Sequence, residues 1–173
     1  MVELVTEVDE NDNFIGLRPR EDFYTGKHIH RASHLILLDS RNRMLLQKRA
    51  LSKLWYPGRC TFSVSGTVND ESYEDCLKRE MLEEIGISVP FRELFRLPCI
   101  LNGKGGFHMV YLGACSDQNA SMIRHDPEEA SSVEWVGLEE LRYSIEEKPE
   151  NYAPALRAAV RRFFEEGCLR YII

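Results

Sequence analysis

One predicted helix constrains this chain more than any other stretch of its sequence. Apolar residues recur with the roughly 3.6-residue period of an α-helix, which predicts a helix over residues 72–85 with Gly86 placed to end it. Glu80 and Glu84 fall inside the apolar arc of that helix, and Glu83 lies at its edge. Because a carboxylate is costly to remove from water unless its charge is compensated, the helix needs a divalent cation or arginine partners beside these groups.

The spacing of the three glutamates favours the cation. Residues three and four positions apart are neighbours on a helix surface, so Glu80, Glu83 and Glu84 are predicted to point at one hard metal ion. Mg²⁺ prefers oxygen ligands and often shares its coordination shell with substrate phosphates, and Mn²⁺ accepts the same donors. The alternative is an ordinary charged helix in which Arg79 and Glu83 form an ion pair.

A longer pattern around these glutamates decides between the two. Its defined residues are Gly66-x4-Glu71-x7-Arg79-Glu80-Met81-x-Glu83-Glu84-x-Gly86-Ile87. This pattern resembles the Nudix box, whose form is Gly-x5-Glu-x7-Arg-Glu-U-x-Glu-Glu-x-Gly-U, with U a bulky aliphatic residue. The second half matches at every defined position. The first half is one residue shorter, and Asp70 stands where a glycine is usual, so the sequence leaves the geometry of this loop open.

The order of the predicted elements indicates the fold class. Apolar strands, one of them predicted over residues 60–64, precede the helix, further strands follow it, and an amphipathic helix is predicted over residues 152–166. This order is typical of a mixed sheet with helices on both faces. The Nudix resemblance implies the same α/β/α sandwich with a mixed β-sheet. The lack of a long polar linker predicts a single domain over residues 1–173, with the box at about 65–87.

The resemblance also implies roles for the residues of the box. It implies that Glu80 and Glu84 are the main metal ligands, with Glu83 as a third ligand or as the catalytic base. The backbone carbonyl near Ser65 is expected to complete the metal shell.

Arg79 and Glu71 complete the predicted catalytic set. Arg79 is expected to pair with Glu71 and to hold the loop against the helix, rather than to contact the substrate.

A second resemblance covers most of the first 140 residues. Residues 28–58 and 62–66 are similar to the isopentenyl-diphosphate isomerase branch of the Nudix superfamily, which includes true isomerases and isomerase-like hydrolases. True isomerases place a cysteine before the glycine of this loop, a histidine after it and a glutamate on a later strand. Here those positions hold Ser65, Thr67 and the acid-free stretch 105–110. Because a serine hydroxyl is a poor proton donor and acceptor, hydrolysis is predicted and isomerisation is the alternative.

The charge distribution supplies candidates for phosphate binding. Residues 41–59 contain six Lys or Arg and no acid, whereas residues 70–84 contain seven acids and two bases. Acids that hold a cation beside bases that hold phosphate oxygens suit a metal–pyrophosphate complex. Lys48, Arg49 and Lys53 are the predicted phosphate-binding residues, and a solvated strand edge is the alternative for any one of them.

Other side chains have weaker sequence support. Trp55, Tyr56 and Phe107 are candidates for stacking on the organic part of the substrate, and core packing is the equal alternative. Glu128 and Glu129 are candidates for a second catalytic base, because the family often supplies an acid from a late loop.

The histidines lack a clear ligand pattern. His28 and His30 have the spacing of a metal pair on one strand face, but no Cys or acid lies near them in sequence, so a structural role is predicted. His34, His108 and His125 are predicted to be structural or exposed.

Composition narrows the partners and the compartment. The net charge of −6 argues against a nucleic-acid polymer as partner. No stretch approaches the roughly 18–20 apolar residues needed to span a bilayer, so no membrane partner is expected. The five cysteines form no Cys-x-x-Cys, and the N-terminus lacks a signal-peptide pattern, which predicts reduced thiols in a cytoplasmic protein.

The expected activity is Mg²⁺-dependent hydrolysis of a diphosphate linkage, with Mn²⁺ as a possible substitute. The expected substrate is a nucleoside diphosphate derivative or a related small organic diphosphate. A non-catalytic Nudix ligand-sensing domain is a further alternative, but such a domain is expected to lose one or more of the glutamates, and this chain keeps them. A homodimer is compatible with the family, and no sequence feature fixes the oligomeric state.

Overall fold

The computed structural model describes residues 2–101 and 104–168, and residues 1, 102–103 and 169–173 of the predicted domain lie outside that part. The described chain forms one nine-stranded sheet of mixed direction, with helices packed against both faces. This arrangement confirms the predicted α/β/α sandwich. No helix within the described ranges is long and apolar enough to cross a membrane.

The strands and helices have the following bounds. The strands are β1 (Leu4–Val8), β2 (Phe14–Pro19), β3 (Ile29–Asp39), β4 (Arg43–Arg49), β5 (Cys60–Thr61), β6 (Val64–Thr67), β7 (Phe91–Leu101), β8 (Lys104–Cys115) and β9 (Ala130–Gly137). The α-helices are α1 (Arg20–Phe23), α2 (Tyr73–Glu80), α3 (Asp117–Met122), α4 (Leu138–Glu147) and α5 (Pro154–Glu165). A π-helical turn (Met81–Ile85) continues α2, and a 3₁₀ turn (Pro149–Asn151) precedes α5.

The central strand of the sheet is β3. Its residues are largely buried on both faces, as expected of a strand covered from both sides. Along one edge it pairs in parallel with β8 over its whole length. Along the other edge it pairs in turn with β1, β6 and β4, all antiparallel. The ladder between β3 and β4 contains the pair Leu38↔Met44. Strand β6 pairs with the same edge of β3, nearer the N-terminal end of that strand.

Alternate residues of β3 belong to two separate cores. Leu35 packs with Met81 and Ile85 on the face covered by α2 and its π turn, which we call the α2 face. Its neighbour Ile36 packs with Leu156 on the face covered by α4 and α5, which we call the α5 face. Because successive side chains of a strand point to opposite faces, His30, Ala32 and His34 lie on the α5 face.

The helix predicted over residues 72–85 is present, and it changes form after Glu80. The Ser72 hydroxyl caps its start by accepting a hydrogen bond from the Asp75 backbone N–H at 3.0 Å. The π turn closes at Gly86, whose φ of 71° lies in the left-handed region. Glycine adopts this conformation without steric cost, so the predicted role of Gly86 is confirmed.

The prediction of one strand over residues 60–64 is wrong. The chain forms two short strands there, and β5 pairs with β4 whereas β6 pairs with β3. Ser63 lies buried between them, where its hydroxyl accepts from the Leu37 N–H at 2.9 Å and donates to the Leu45 carbonyl at 2.7 Å. This hydroxyl links β3 to β4 where the chain crosses between them. The sequence pattern also does not predict α1 or α3, which are too short to show a helical period.

Candidate functional site

Gly66 brings strand β6 against the end of helix α2. It pairs with Ser33 of β3, which places it in the middle of the sheet. A Cβ at Gly66 would collide with the side chain of Glu80. Glycine is therefore needed here for a close approach, and the short loop that follows it still delivers Glu71 to Arg79, whose Nη2 donates to Glu71 Oε1 at 2.7 Å.

Glu84 is the most deeply buried carboxylate of the predicted set, with 4 % of its surface exposed. Its Oε2 accepts hydrogen bonds from Gln47 Nε2 and from the Ser65 backbone N–H, each at 2.9 Å. Burial raises the pKa of Glu84 to about 8, and the negative charges of Glu80 and Glu129 act in the same direction. The hydrogen-bond donors that reach this carboxylate are neutral, so a bound cation would supply the positive charge that favours its ionised form.

Arg79 holds the other three carboxylates together. Its guanidinium donates to Glu80 Oε1 at 2.7 Å and to Glu83 Oε2 at 2.9 Å, besides its bond to Glu71. Burial raises the pKa of Glu80 to about 6, against the opposing charge of Arg79. We call Glu71, Glu80, Glu83 and Glu84, with Arg79 between them, the carboxylate cluster. Arginine partners and a possible cation site therefore coexist, although the sequence presented them as alternatives.

The predicted metal ligands differ in their exposure to solvent. The Glu83 side chain is 56 % exposed, against 13 % for Glu80. Among the described residues, no three His, Cys, Asp or Glu side chains are arranged to hold a metal ion. The donor chemistry still fits a hard cation, because Glu84 offers a buried carboxylate with neutral hydrogen-bond donors.

Glu129 approaches the carboxylate cluster from the loop before β9. Its charge contributes, after burial, to the raised pKa of both Glu80 and Glu84. Its carboxylate pairs with Lys53 at 2.5 Å, and its backbone carbonyl accepts from the Ala50 N–H at 3.0 Å. Of the two acids considered as a second base, Glu129 is therefore the one whose charge acts on the cluster. Lys53, predicted to bind phosphate, is paired with this acid.

Two adjacent basic residues of β4 have different surroundings. Gln47 faces Glu84, so Lys48 points to the opposite face of the strand, where its charge acts on Cys60. The phosphate-binding role of Lys48 stays a prediction. A β-bulge between Lys48 and Arg49 then redirects the next side chain. Burial lowers the pKa of Arg49, and the charges of Glu84 and Glu129 oppose that shift.

A cavity of about 630 Å³ adjoins the carboxylate cluster. Ser65 and Gly66 line it, and the same two residues contact Glu84 and Glu80. Its other walls come from α1 and the loop after it, the exposed loop after β4, strand β8 and the start of α5. A larger cavity, of about 790 Å³, lies at the Asp39 end of β3, away from the predicted glutamates.

Two arginines line the smaller of these cavities, the one that adjoins the carboxylate cluster. Arg49, a predicted phosphate-binding residue, is one of them. The other is Arg20 of α1, which the sequence analysis missed. Its Nη2 donates to Glu3 at 2.6 Å and its Nη1 donates to Thr67 at 3.4 Å. Although burial acts to lower the pKa of Arg20, its bonds to Glu3 and the charge of Glu80 raise it, so it remains a cation at the cavity wall.

Four histidines line the same cavity, and three of them, His30, His34 and His108, are neutral. Burial lowers the pKa of His30 to about 4 and that of His108 to about 3, and it lowers the pKa of His34 far below its ordinary value. His34 stacks on Phe62 at a ring separation of 4.2 Å. The sequence analysis predicted His34 and His108 as structural or exposed; they lie in the cavity wall, brought together by the pairing of β3 with β8.

Aromatic side chains surround the mouth of the cavity. Trp55 and Tyr56 line it, and Trp55 is half exposed and 6.3 Å from the ring of Tyr24. Phe23 of α1 contacts His30 edge-on at 5.9 Å. Phe107 has a different place: it is buried with Val8 and Ile29 in a small core of its own. Of the three predicted stacking residues, Phe107 is thus a core residue.

Comparisons with known proteins identify the family of this chain. The family profile described as "NUDIX domain" matches residues 28–163. The chain is 61 % identical to a protein named prenyl-diphosphate phosphatase from Methanosarcina mazei, over 98 % of this chain and 99 % of that one. It is 32 % identical to isopentenyl-diphosphate Delta-isomerase 1 from Aromatoleum aromaticum, over 94 % of this chain and 93 % of the isomerase.

Solved structures share the fold. The crystal structure of DR0079 from Deinococcus radiodurans superposes with a TM-score of 0.80 at 25 % identity, covering 92 % of this chain and 98 % of that one. A MutT protein from Methanosarcina mazei superposes with a TM-score of 0.67 at 21 % identity, covering 80 % of this chain and 95 % of that one. The second likeness concerns the fold alone.

Proposed function

Because the chain belongs to the Nudix hydrolase family, we propose that it hydrolyses a prenyl diphosphate with the help of a divalent cation, preferentially Mg²⁺. As a Nudix hydrolase it acts on a diphosphate linkage. The finer proposal, a prenyl group on that diphosphate, draws on the relative that is 61 % identical over nearly the whole chain. The products would be a prenyl monophosphate and inorganic phosphate, since that relative is named a phosphatase.

The cavity is the observation that carries the proposal. It has cationic side chains near the carboxylate cluster, Arg20 and Arg49, and neutral or aromatic walls elsewhere. Arginine recognises phosphate oxygens through two or more hydrogen bonds. Neutral imidazoles and aromatic rings, by contrast, suit an apolar chain better than a charged group. This combination fits a diphosphate attached to a hydrocarbon.

The cation would be held by the carboxylate cluster. Glu80 and Glu84 would provide the main ligands, with Glu83 as a third and the Ser65 carbonyl as a backbone ligand. A bound divalent cation supplies charge neutralisation for the phosphates and lowers the pKa of a coordinated water. Glu129 is the proposed base that accepts the proton of the attacking water, because its charge acts on both buried glutamates.

Arg20 and Arg49 would hold the diphosphate against these groups. Water would attack the terminal phosphorus, and the bridging oxygen would leave with the prenyl monophosphate. Breaking the bond between the terminal phosphorus and the bridging oxygen concentrates negative charge on that oxygen, which the arginine side chains can stabilise.

The first experiment is phosphate release from prenyl diphosphates of increasing chain length, a nucleoside diphosphate sugar and inorganic pyrophosphate, each with Mg²⁺ or Mn²⁺. Wild type is compared with Glu84→Gln and with Glu74→Gln, an exposed position of the same helix that pairs with Lys78. We expect turnover of prenyl diphosphates that Glu84→Gln abolishes and Glu74→Gln leaves unchanged. Preferential turnover of the nucleotide would replace the prenyl substrate by a nucleoside diphosphate derivative.

The isomerase and ligand-sensor alternatives have their own tests. Isomerisation would incorporate deuterium from heavy water into an isopentenyl substrate without phosphate release; Ser65, Thr67 and the acid-free stretch 105–110 make this result unexpected. A ligand sensor would bind prenyl diphosphate without turning it over. Calorimetric titration of Mg²⁺ into wild type and Glu84→Gln separates a working metal site from a degraded one.

We also propose a reducing, cytoplasmic setting. Cys60, Cys76, Cys99 and Cys115 carry reduced thiols, which supports that compartment. A homodimer stays a prediction, and sedimentation velocity of the purified chain tests it.

A further inference from the structure

We infer that the Ser65 hydroxyl donates a hydrogen bond to a phosphate oxygen of the substrate, and that His34 and His108 orient it to do so. This inference rests on the proposed function, because it assigns the phosphate end of the same substrate. It adds a phosphate contact and two positioning residues that neither the box nor the charge pattern indicated.

A continuous chain of hydrogen bonds leads from the cavity wall to Ser65. His108 Nδ1 lies 2.7 Å from His34 Nε2, and His34 Nδ1 lies 3.1 Å from Ser65 Oγ. Register explains the contact, since Ser65 of β6 is directly paired with His34 of β3. His34 stacks on the ring of Phe62 at 4.2 Å, and each of its ring nitrogens has a hydrogen-bond partner, so it has little freedom to turn.

The hydrogen bond between the two imidazoles contains only one N–H. A neutral imidazole has one N–H donor and one acceptor nitrogen, and two N–H groups that faced each other at 2.7 Å would repel. A contact of 2.7 Å between two ring nitrogens therefore carries a single N–H. Only two arrangements of the whole chain satisfy this condition, and they differ in the direction in which every hydrogen bond runs.

In the first arrangement His108 Nδ1–H donates to His34, and His34 Nδ1–H donates to Ser65 Oγ. The serine then keeps its own O–H for another acceptor. In the second arrangement Ser65 donates to His34, His34 donates to His108, and the serine offers only lone pairs to the cavity. A phosphate oxygen is an acceptor, so it is attracted by the first arrangement and repelled by the second.

The position of Ser65 makes it suitable for this contact. Its backbone N–H is fixed on Glu84 at 2.9 Å, and its side chain lines the cavity that Arg20 and Arg49 also line. One residue thus joins the carboxylate that would hold a cation to the wall that would hold the phosphates. A hydroxyl that is already oriented before substrate binds avoids the entropic cost of ordering it during binding.

Steady-state kinetics test the contact. A hydrogen bond to a charged group predicts that Ser65→Ala raises KM by about 10- to 100-fold, with kcat changed by less than about 3-fold. His34→Phe keeps the stacking on Phe62 and should raise KM by a similar factor. If the serine acts through the histidine, the double variant is no worse than either single one. Ser131→Ala, whose hydroxyl contacts the Lys48 carbonyl outside the cavity, is the control for loss of a hydroxyl.

Two kinetic results would overturn the inference. Additive losses in the double variant would mean that Ser65 and His34 act independently. An unchanged KM in Ser65→Ala would remove the phosphate contact altogether.

Nitrogen NMR of histidine-labelled protein supplies a readout that does not depend on turnover. With inorganic pyrophosphate and Mg²⁺ as the probe, His34 and His108 are both expected as Nδ1–H tautomers in the saturated complex. Nε2–H tautomers in that complex, or no binding of pyrophosphate to wild type, would overturn the inference. Pyrophosphate binding with the expected tautomers, in a protein that fails to hydrolyse prenyl diphosphates, would refute the proposed substrate and leave the Ser65 contact standing.

Discussion

The carboxylate cluster and the cavity meet at Ser65 and Gly66, yet the chain builds them in opposite ways. The cluster comes from one short segment, in which Arg79, Glu80, Glu83 and Glu84 are nearly consecutive. The cavity wall is assembled from distant parts of the sequence, such as α1, β3, β8 and the start of α5. The first region therefore encodes chemistry locally, whereas the second encodes specificity through tertiary structure.

The largest expected effect concerns the point where the two regions touch. In Gly66→Ala the new methyl group collides with the Glu80 side chain, so that carboxylate must move. A displacement of about 1 Å at a catalytic group can cost roughly 100-fold, and we expect kcat to fall by at least about that factor. Phosphate-release kinetics measure it, with circular dichroism to check the fold. Gly16→Ala, which has open space around its Cβ, is the matched control.

The second prediction concerns protons at the cluster. Because the pKa of Glu84 is raised to about 8, the metal-free protein holds a proton there that a cation must displace. Mn²⁺ affinity should therefore rise by up to about 10-fold per pH unit up to about pH 8, and then level off. Calorimetry in buffers of different ionisation enthalpy counts the protons released. An affinity independent of pH below 8 would contradict the assignment of Glu84 as a ligand.

The same shift gives a stability prediction for the metal-free protein. The folded pKa of Glu84, about 8, lies above its ordinary value of 4.5, so the native state binds more protons than the unfolded state between those values. Unfolding free energy should thus fall as pH rises through this window, by at most ~1.4 kcal/mol per unit. Denaturant titrations at several pH values measure it, and Glu84→Gln should flatten the dependence.

The fourth prediction compares two neighbouring residues of β4. Arg49 lines the cavity and Lys48 does not, so Arg49→Ala should raise KM by about 10- to 100-fold through loss of a charge-assisted phosphate contact. Lys48→Ala serves as the control of similar charge and should change KM by less than about 2-fold. Equal effects of the two substitutions would show that long-range charge, rather than placement, governs binding.

The smallest expected effect lies at the mouth of the cavity. Trp55 is half exposed and lines the cavity, whereas Leu54 is exposed and does not line it. Trp55→Ala should raise KM for a long-chain prenyl diphosphate by about 3- to 10-fold, without lowering the melting temperature. The factor should shrink for a short-chain substrate that does not reach the mouth. Leu54→Ala should leave both values unchanged.

The sequence was informative where the site is local. The spacing in the box predicted the helix, its end at Gly86 and the pairing of Arg79 with Glu71, because these depend on contacts within about twenty residues. It could not predict the π turn, because the apolar pattern of this helix is compatible with an α turn throughout.

The cavity was beyond the reach of sequence patterns. His34 and His108 are 74 residues apart and meet only because β3 and β8 pair in parallel. Arg20 lies on a four-residue helix that has no amphipathic period, and it reaches the cavity because β2 pairs with β1. No local signal reports such a register, so these residues looked like isolated histidines and an ordinary basic residue.

The scattered origin of the cavity wall has a consequence for how such a protein can diverge. A substitution in α1, in the loop after β4 or at the start of α5 changes the space available to the substrate chain without altering a residue between Glu71 and Glu84. Ser65 and Gly66 are the exceptions, since both touch the carboxylates and the cavity. Descendants of this chain can therefore acquire new substrates through many independent single changes, provided that these two positions stay as they are.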